Sequence, residues 1–461
     1  MLNLEPKTDI QKLISKNQFK LLNQELERVE PTEAAAMVVE LSESEQQVVF
    51  KAISSDIISK TFKHFPHQTQ LDLIHSLEVD KEKMAEVLNK LTPDDRTAFF
   101  IELPEETRED YLSLLAPKEL ENAKQLLSYP EDSVGRLATT DYVAIRKNWT
   151  VEQALRQIRR FGRDSETINV IYIVDEDWKL LDDIRLRELL LAEPEREIES
   201  LMDHRFVALN ARDDQEKSIQ TFREYDRAAL PVIEGDGTLI GIITSDDILD
   251  VVEEEATEDI QKLGGLEALD DSYIETPLST LIKKRSRWLA VLFIGEMFTA
   301  TAMGYFESEI AKAVVLALFV PLVISSGGNS GSQAATLIIR SLAVNEITVR
   351  DWWRVMRREV ISGLVLGGIL GLMGFLRVVV WASAFGLYGE HWMLLGATVG
   401  IALVGVVLWG TIAGSMLPFM MKRLGADPAV SSAPFVATLV DVTGLVIYFS
   451  VASVVLAGTM L

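Results

Sequence analysis

The sequence predicts a multidomain chain: an all-α N-terminal region of short stacked helices, a tandem pair of small α/β units, an acidic connecting helix, and a five-helix α transmembrane domain. Three observations predict it. Residues 1–280 hold 60 of the 69 acidic and 32 of the 45 basic residues, a net −28, whereas the remainder holds 9 acids and 13 bases, a net +4. Long apolar stretches begin where the charge thins out, and a repeat of about 60 residues occupies the middle of the chain. At 461 residues the chain exceeds one ordinary domain. The expected boundaries are 1–130, 131–250, 246–284 for the connecting helix and linker, and 285–461.

In the first region, apolar and acidic positions alternate at helical spacing, and Pro31, Pro66, Pro93, Pro104 and Pro117 restart the pattern. Short helical hairpins, stacked as a small superhelix, are expected. Asp94 and Asp95 fall in the first turn after Pro93, where acids satisfy the helix dipole. The opening MLNLEPKTDIQKL has no basic segment followed by an apolar core and is not expected to be an export signal.

The repeat sets IYIVDEDWKLLDDIRLRELL from Ile171 against LPVIEGDGTLIGIITSDDIL from Leu230. Strand, acidic turn, strand and helix recur, with Leu180 over Leu239, Ile184 over Ile243 and Leu189 over Ile248. Two units this small are expected to pack together. After the second unit, Asp246 to Asp259 carries eight carboxylates in fourteen residues and no base. On a helix, Asp247, Asp250, Glu254 and Glu258 share a stripe. Like charges so spaced repel by about 0.2–0.5 kcal/mol per pair. Either mobile counterions neutralise the stripe, or bound divalent ions bridge it to carboxylates elsewhere.

Five spans are expected, near 288–306, 311–339, 360–387, 392–421 and 429–461, each longer than or close to the roughly 20 residues a bilayer requires. Basic clusters at Lys283–Arg287, Arg350–Arg358 and Lys422–Arg423 fall on alternate loops. The positive-inside rule then puts the first 280 residues in the cytoplasm and the C-terminus outside; the expected location is a plasma (bacterial inner) membrane. Arg377, inside the third stretch, is expected to snorkel or to mark a helix end. In the second stretch, Pro321, Gly327, Gly328 and Gly331 at membrane depth predict a kink or unwound turn whose carbonyls face a watery cavity beside Asn329, Ser330, Ser332 and Gln333. Close packing through small residues is the alternative.

After Pro428, Asp441 is the one ionisable side chain in thirty-three residues. A carboxylate near the bilayer centre costs about 2.5–3.5 kcal/mol and ordinarily faces a polar pathway. An internal ion pair or a neutral acid held by Ser or Thr are the alternatives. Glu296 is a second intramembrane acid. Magnesium keeps several waters and is held by only one or two carboxylates, so a two-fold dimer placing two Asp441 side chains on one central path suits it. The absence of cysteine excludes disulfides and thiolate metal sites, and the acidic balance argues against nucleic-acid binding.

This order of parts resembles the MgtE family of magnesium channels. The resemblance spans essentially the whole chain and is carried by PLVISSGGNSGSQAATLIIR from Pro321, ADPAVSSAPFVATLVDVTG from Ala426, and YDRAALPVIEGDGTLIGIITSDDILDVVEEEATEDIQKLG from Tyr225. It implies that the repeats are CBS domains, that the chain is a homodimer, and that Asp441 is the pore acid, with Asn329, Gly327, Gly328 and Pro434 in the pore region. It also implies regulatory Mg2+ sites at Asp214, Glu216, Asp226, Asp247, Asp250, Glu255, Glu258 and Asp259, with Asp94 and Asp95 on the N-terminal side, which close the pathway when cytosolic Mg2+ is high. Some members are thought to bind ATP between the repeats. Tyr172, Arg187 and Glu188 occupy plausible positions for it, Arg227 stands where an aromatic ring would be expected to stack on the base, and an adenine-free cleft is the alternative.

No phosphate loop or ATPase-like constellation is present, so passive magnesium influx is expected. Exchange for sodium or protons, with Asp441 or Glu296 as the coupling acid, is the nearest rival. No enzyme activity is expected: of five histidines only His391 lies beyond residue 280, and no nucleophile and base pair with it.

Overall fold

A computed structural model describes residues 6–77, 80–269, 273–274 and 276–460. The chain divides into two compact units, Met1–Glu255 and Ala256–Leu461.

In the first unit, ten helices, α1 to α10, lie between Pro6 and Leu127 among the described residues. Their starts follow the proline punctuation: Pro31, Pro93 and Pro117 sit in first turns, where the missing N–H is not needed. Their apolar faces enclose one core around Leu22, Phe50, Phe62 and Phe100. Helix α8 (Pro93–Glu102) is fixed against α10 (Pro117–Leu127) by Arg96, which is 2 % exposed. Its guanidinium donates to the carbonyls of Leu88 and Leu91 and lies 2.6 Å from Glu119 Oε2. This anchor sets the position of the Asp94–Asp95 turn.

Two three-stranded sheets follow. The first repeat runs β1 (Ala144–Arg146), α11 (Val151–Phe161), β2 (Val170–Val174), β3 (Leu180–Arg185) and α12 (Leu186–Leu191). The second runs β4 (Leu209–Asn210), α13 (Gln215–Tyr225), β5 (Ala229–Ile233), β6 (Leu239–Thr244) and α14 (Ser245–Leu263). Each sheet has one parallel and one antiparallel pairing, and Ile171 opposite Ile184 is matched by Leu230 opposite Ile243. The repeat in the sequence is therefore a repeat in register. Val170, Tyr172, Val174 and Leu180 of the first repeat share an apolar seam with Ala229, Leu239 and Ile242 of the second.

The second unit holds five helices long and apolar enough to cross a membrane: α15 (Leu278–Tyr305), α17 (Val320–Ala343), α18 (Trp352–Phe385), α19 (Trp392–Arg423) and α20 (Ala433–Val455), with the short α16 (Glu307–Lys312) after the first. The first starts ten residues earlier than expected and takes in Lys283–Arg287. Residues 278–284 thus belong to this helix rather than to a linker, and the expected linker residues 270–272 and 275 lie outside the described residues.

Helix α19 is central. Its Val399, Ala402, Leu403 and Val406 form one core with Val440, Leu445, Tyr448 and Phe449 of α20. The expected unwinding at Gly327–Gly331 does not occur: α17 is helical throughout, and Pro321 sits in its first turn after a 3-10 segment, Val314–Phe319. The glycines serve close packing instead. A Cβ on Gly331 would lie 2.9 Å from the Gly410 carbonyl oxygen, and one on Gly414 would collide with the Gly331 carbonyl. Small residues four apart on α17 and α19 let the backbones touch. Arg377 stacks its guanidinium over Trp381, 3.5 Å from the ring centroid, and donates to Tyr388 Oη at 3.2 Å. It lies in the last turns of α18, as an interfacial anchor does.

Candidate ion pathway and acidic clusters

Asp441 lies mid-way along α20, and no hydrogen-bond donor or cation meets its carboxylate among the described residues; neither an ion pair nor a Ser or Thr hydroxyl holds it. It opens instead on a cavity of about 480 Å³ whose polar lining is Glu296, Thr299, Ser325, Asn329, Ser332 and Asp441. These come from one stripe each of α15, α17 and α20. Helical spacing aligns each stripe; α17 supplies the two serine hydroxyls and the amide, and α15 the Thr299 side chain. Asn329 Nδ2 approaches Ser325 Oγ at 3.5 Å. Gly328 keeps the α17 surface low beside the acid: a Cβ there would stand 3.7 Å from Asp441 Oδ1.

The other two expected pathway residues sit elsewhere. Gly327 is buried against Val406 and Val440. Pro434 is in the first turn of α20, below Gly265, where a Cβ would meet Trp288 Nε1 at 2.6 Å and Pro434 Cγ at 3.3 Å.

Two acidic clusters stand outside the membrane helices. In the second unit, Lys262 Nζ lies 2.6 Å from Glu258 Oε1 and 2.8 Å from Asp427 Oδ2, which joins the end of α14 to the loop before α20. Burial and the charge of Asp427 raise the Asp259 carboxyl above its ordinary value. Burial alone would lower the Lys262 ammonium, but its bonds to Asp427 and Glu258 outweigh that and raise it. Asp427 escaped the sequence reading, and its only signal there was a lone acid before Pro428.

In the first unit, Asp94 and Asp95 face carboxylates from the start of α14. Asp94 Oδ1 is buried with no donor. Burial raises both carboxyls, that of Asp94 further through the charge of Asp95. Asp247 accepts from the Thr244 N–H at 3.1 Å and hydroxyl at 2.8 Å, yet burial and the charge of Asp94 push it up to about 6. Glu166, which precedes β2, is pushed up to about 7 by burial and by Asp94 and Asp247. Burial and neighbouring acids also raise Asp250 against the pull of Lys63. Lys63 is the cluster's built-in cation: desolvation would lower it, and Asp95, Asp246, Asp94 and Asp247 together raise it. Neither Glu166 nor Lys63 stood out in sequence, because each lies far along the chain from the acids it faces.

Of the remaining expected ligands, Asp214, Glu216 and Glu255 lie around Gln215, and Asp226 stands at the other end of α13. Asp214 caps α13 by accepting from the Glu216 N–H at 2.9 Å, and Asp226 ends the same helix with a left-handed φ of 47°. Twelve residue steps along the helix separate Asp214 from Asp226 by about 18 Å. Glu255 accepts from Gln215 Nε2 at 2.8 Å. Among the described residues no three carboxylate or imidazole side chains converge as a ready ligand set.

Tyr172 is fully buried in the seam between the repeats, edge-on to Tyr142 with its hydroxyl unpartnered, while Arg187 and Glu188 are exposed on the first turn of α12. Arg227 Nη1 is committed to Asp183 Oδ2 at 3.2 Å. Tyr172, one of the residues expected to receive a nucleotide, is thus packed in the seam between the repeats, and Arg227 is held in an ion pair.

Comparisons with known proteins agree with this layout. The family model for a divalent cation transporter, MgtE, matches residues 320–451, that for the MgtE intracellular N domain matches 29–132, and that for the CBS domain matches 134–195 and 197–254. The magnesium transporter MgtE of Thermus thermophilus is 36% identical over 457 residues, covering 97% of this chain and 98% of that one. The magnesium transporter MgtE of Bacillus subtilis is 29% identical over 428 residues, covering 93% and 92%. A crystal structure of the soluble part of a magnesium transporter superposes with a TM-score of 0.52 at 27% identity, over 55% of this chain and 98% of that one. The cytosolic domain of the Mg2+ channel MgtE in complex with ATP gives 0.50 at 30% identity, over 53% and 99%.

Proposed function

Because the chain belongs to the MgtE family of magnesium transporters, we propose that it is a homodimeric channel of the bacterial inner membrane, passing Mg2+ inward and closed by cytosolic Mg2+. The observation that carries this reading is the unpartnered Asp441 carboxylate on a polar cavity at membrane depth. A carboxylate there attracts a cation without stripping it, and the Asn329 amide and the Ser325 and Ser332 hydroxyls suit hydrogen bonds to water that Mg2+ retains. Two protomers would present two Asp441 side chains to one ion. The membrane potential supplies about 4.6 kcal/mol per 100 mV for a doubly charged ion, so entry needs no pump.

Closure follows from the same electrostatics. Asp94, Asp95, Glu166, Asp247 and Asp250 repel one another, and Mg2+ entering the cluster would let them stay together; Asp94 Oδ1, buried without a donor, fits such an ion. Glu258, Asp259 and Asp427 offer a second cluster at the membrane end. Asp214, Glu216, Asp226 and Glu255 would contribute through outer water or through the second protomer. With the cytoplasmic parts inside, the C-terminus lies outside.

Asp441→Asn in the full chain, reconstituted in liposomes, tests the pathway: Mg2+ flux should fall by at least about tenfold with the protein still folded, since a unit charge acting on a divalent ion in a partly dry site is worth more than 1.4 kcal/mol. Undiminished flux would remove Asp441 from the path. A reversal potential that ignores sodium and proton gradients is expected, and one that follows them would favour exchange.

A further inference from the structure

Glu296 is the sole acid of α15, a helix long and apolar enough to cross a membrane. The glycine beside it seats the helix: a Cβ on Gly295 would lie 2.8 Å from Thr438 Cγ2, and Thr438 is one helical turn from Asp441. Glu296 and Asp441 therefore line the same cavity from two helices. Neither carboxylate has a hydrogen-bond donor or an ion-pair partner among the described residues, and no Lys, Arg or His lines the cavity. Thr299, three residues along the same stripe, also lines the cavity, and its hydroxyl is unpartnered.

We propose that Glu296 is a second ion-contacting carboxylate of the pathway, acting with Asp441 on one hydrated divalent cation; this rests on the pathway reading above. Two uncompensated carboxylates at membrane depth are costly, and a divalent ion neutralises both where a monovalent ion leaves one. A cation that keeps its first water shell meets them through that water. Glu296 thereby sets how strongly the cavity draws divalent over monovalent ions.

The test is Mg2+ flux into liposomes by the full chain carrying Glu296→Gln, Glu296→Asp or Asp441→Asn, beside the wild type. Glu296→Gln should raise the Mg2+ concentration for half-maximal flux about tenfold, and Glu296→Asp should retain most of the wild-type value. Because the chain has no cysteine, Glu296→Cys introduces its only thiol. An anionic thiol reagent should then restore flux and a cationic one abolish it. Wild-type concentration dependence in Glu296→Gln, with Asp441→Asn impaired, would overturn the proposal and leave the pathway standing. So would equal losses in Glu296→Gln and Glu296→Asp, or equal effects of the two reagents, either of which marks a packing role. Absence of flux in the wild type would remove the pathway reading itself.

Discussion

The Lys262 ammonium lies 2.8 Å from Asp427 Oδ2 and so ties the last turn of α14 to the loop that leads into α20. This loop carries Pro428 and the start of the helix that bears Asp441. The tie supplies from the chain itself one of the positive charges that the local acids require.

Lys262→Ala should make closure more dependent on Mg2+, because Glu258, Asp259 and Asp427 would lose their fixed cation. The pair is partly exposed, so its loss is worth about 1 kcal/mol, or roughly fivefold in the cytosolic Mg2+ that halves the flux. An unchanged half-closing concentration would show that the contact has no part in gating.

Arg96→Ala should lower the stability of the N-terminal helices by about 3 kcal/mol, since it strands Glu119 and two carbonyls beside a buried site. Denaturant unfolding of the full chain measures it. A loss below about 1 kcal/mol would show that water replaces the guanidinium.

The first-unit cluster should respond to pH in a defined direction. Glu166, near 7, and Asp247, near 6, are raised above their unfolded values, so the folded form binds their protons more tightly. Without divalent ions, protease protection of residues 1–255 should therefore increase as pH falls from about 8 to 5, and saturating Mg2+ should flatten this dependence. Glu166→Gln should remove the step nearest 7. Greater protection at higher pH would contradict the electrostatic account.

The parts of the molecule that depend on local pattern were legible in sequence. The spans came from apolar length, the paired sheets from the repeat that sets Ile184 over Ile243, and the exposure of Asp441 to a polar cavity from the cost of an unpaired acid in a membrane. Features that depend on a distant partner were not. The glycine run of α17 allows unwinding or close packing equally well, and the Gly410–Gly414 face of α19 decides between them. Lys63, Glu166 and Asp427 are ordinary surface residues in a linear reading and gain meaning only from the acids folded against them. Tyr172, expected between the repeats, does lie in the seam between them, but its edge-on packing against Tyr142 was not visible in sequence.

The most direct measurement is Mg2+ flux into liposomes bearing the purified chain, with Mg2+ held low or high on the cytoplasmic face and no sodium or proton gradient. Flux at low Mg2+ that falls at high Mg2+ is the predicted result. Flux that requires a sodium or proton gradient, or that ignores cytoplasmic Mg2+, would contradict a self-closing channel.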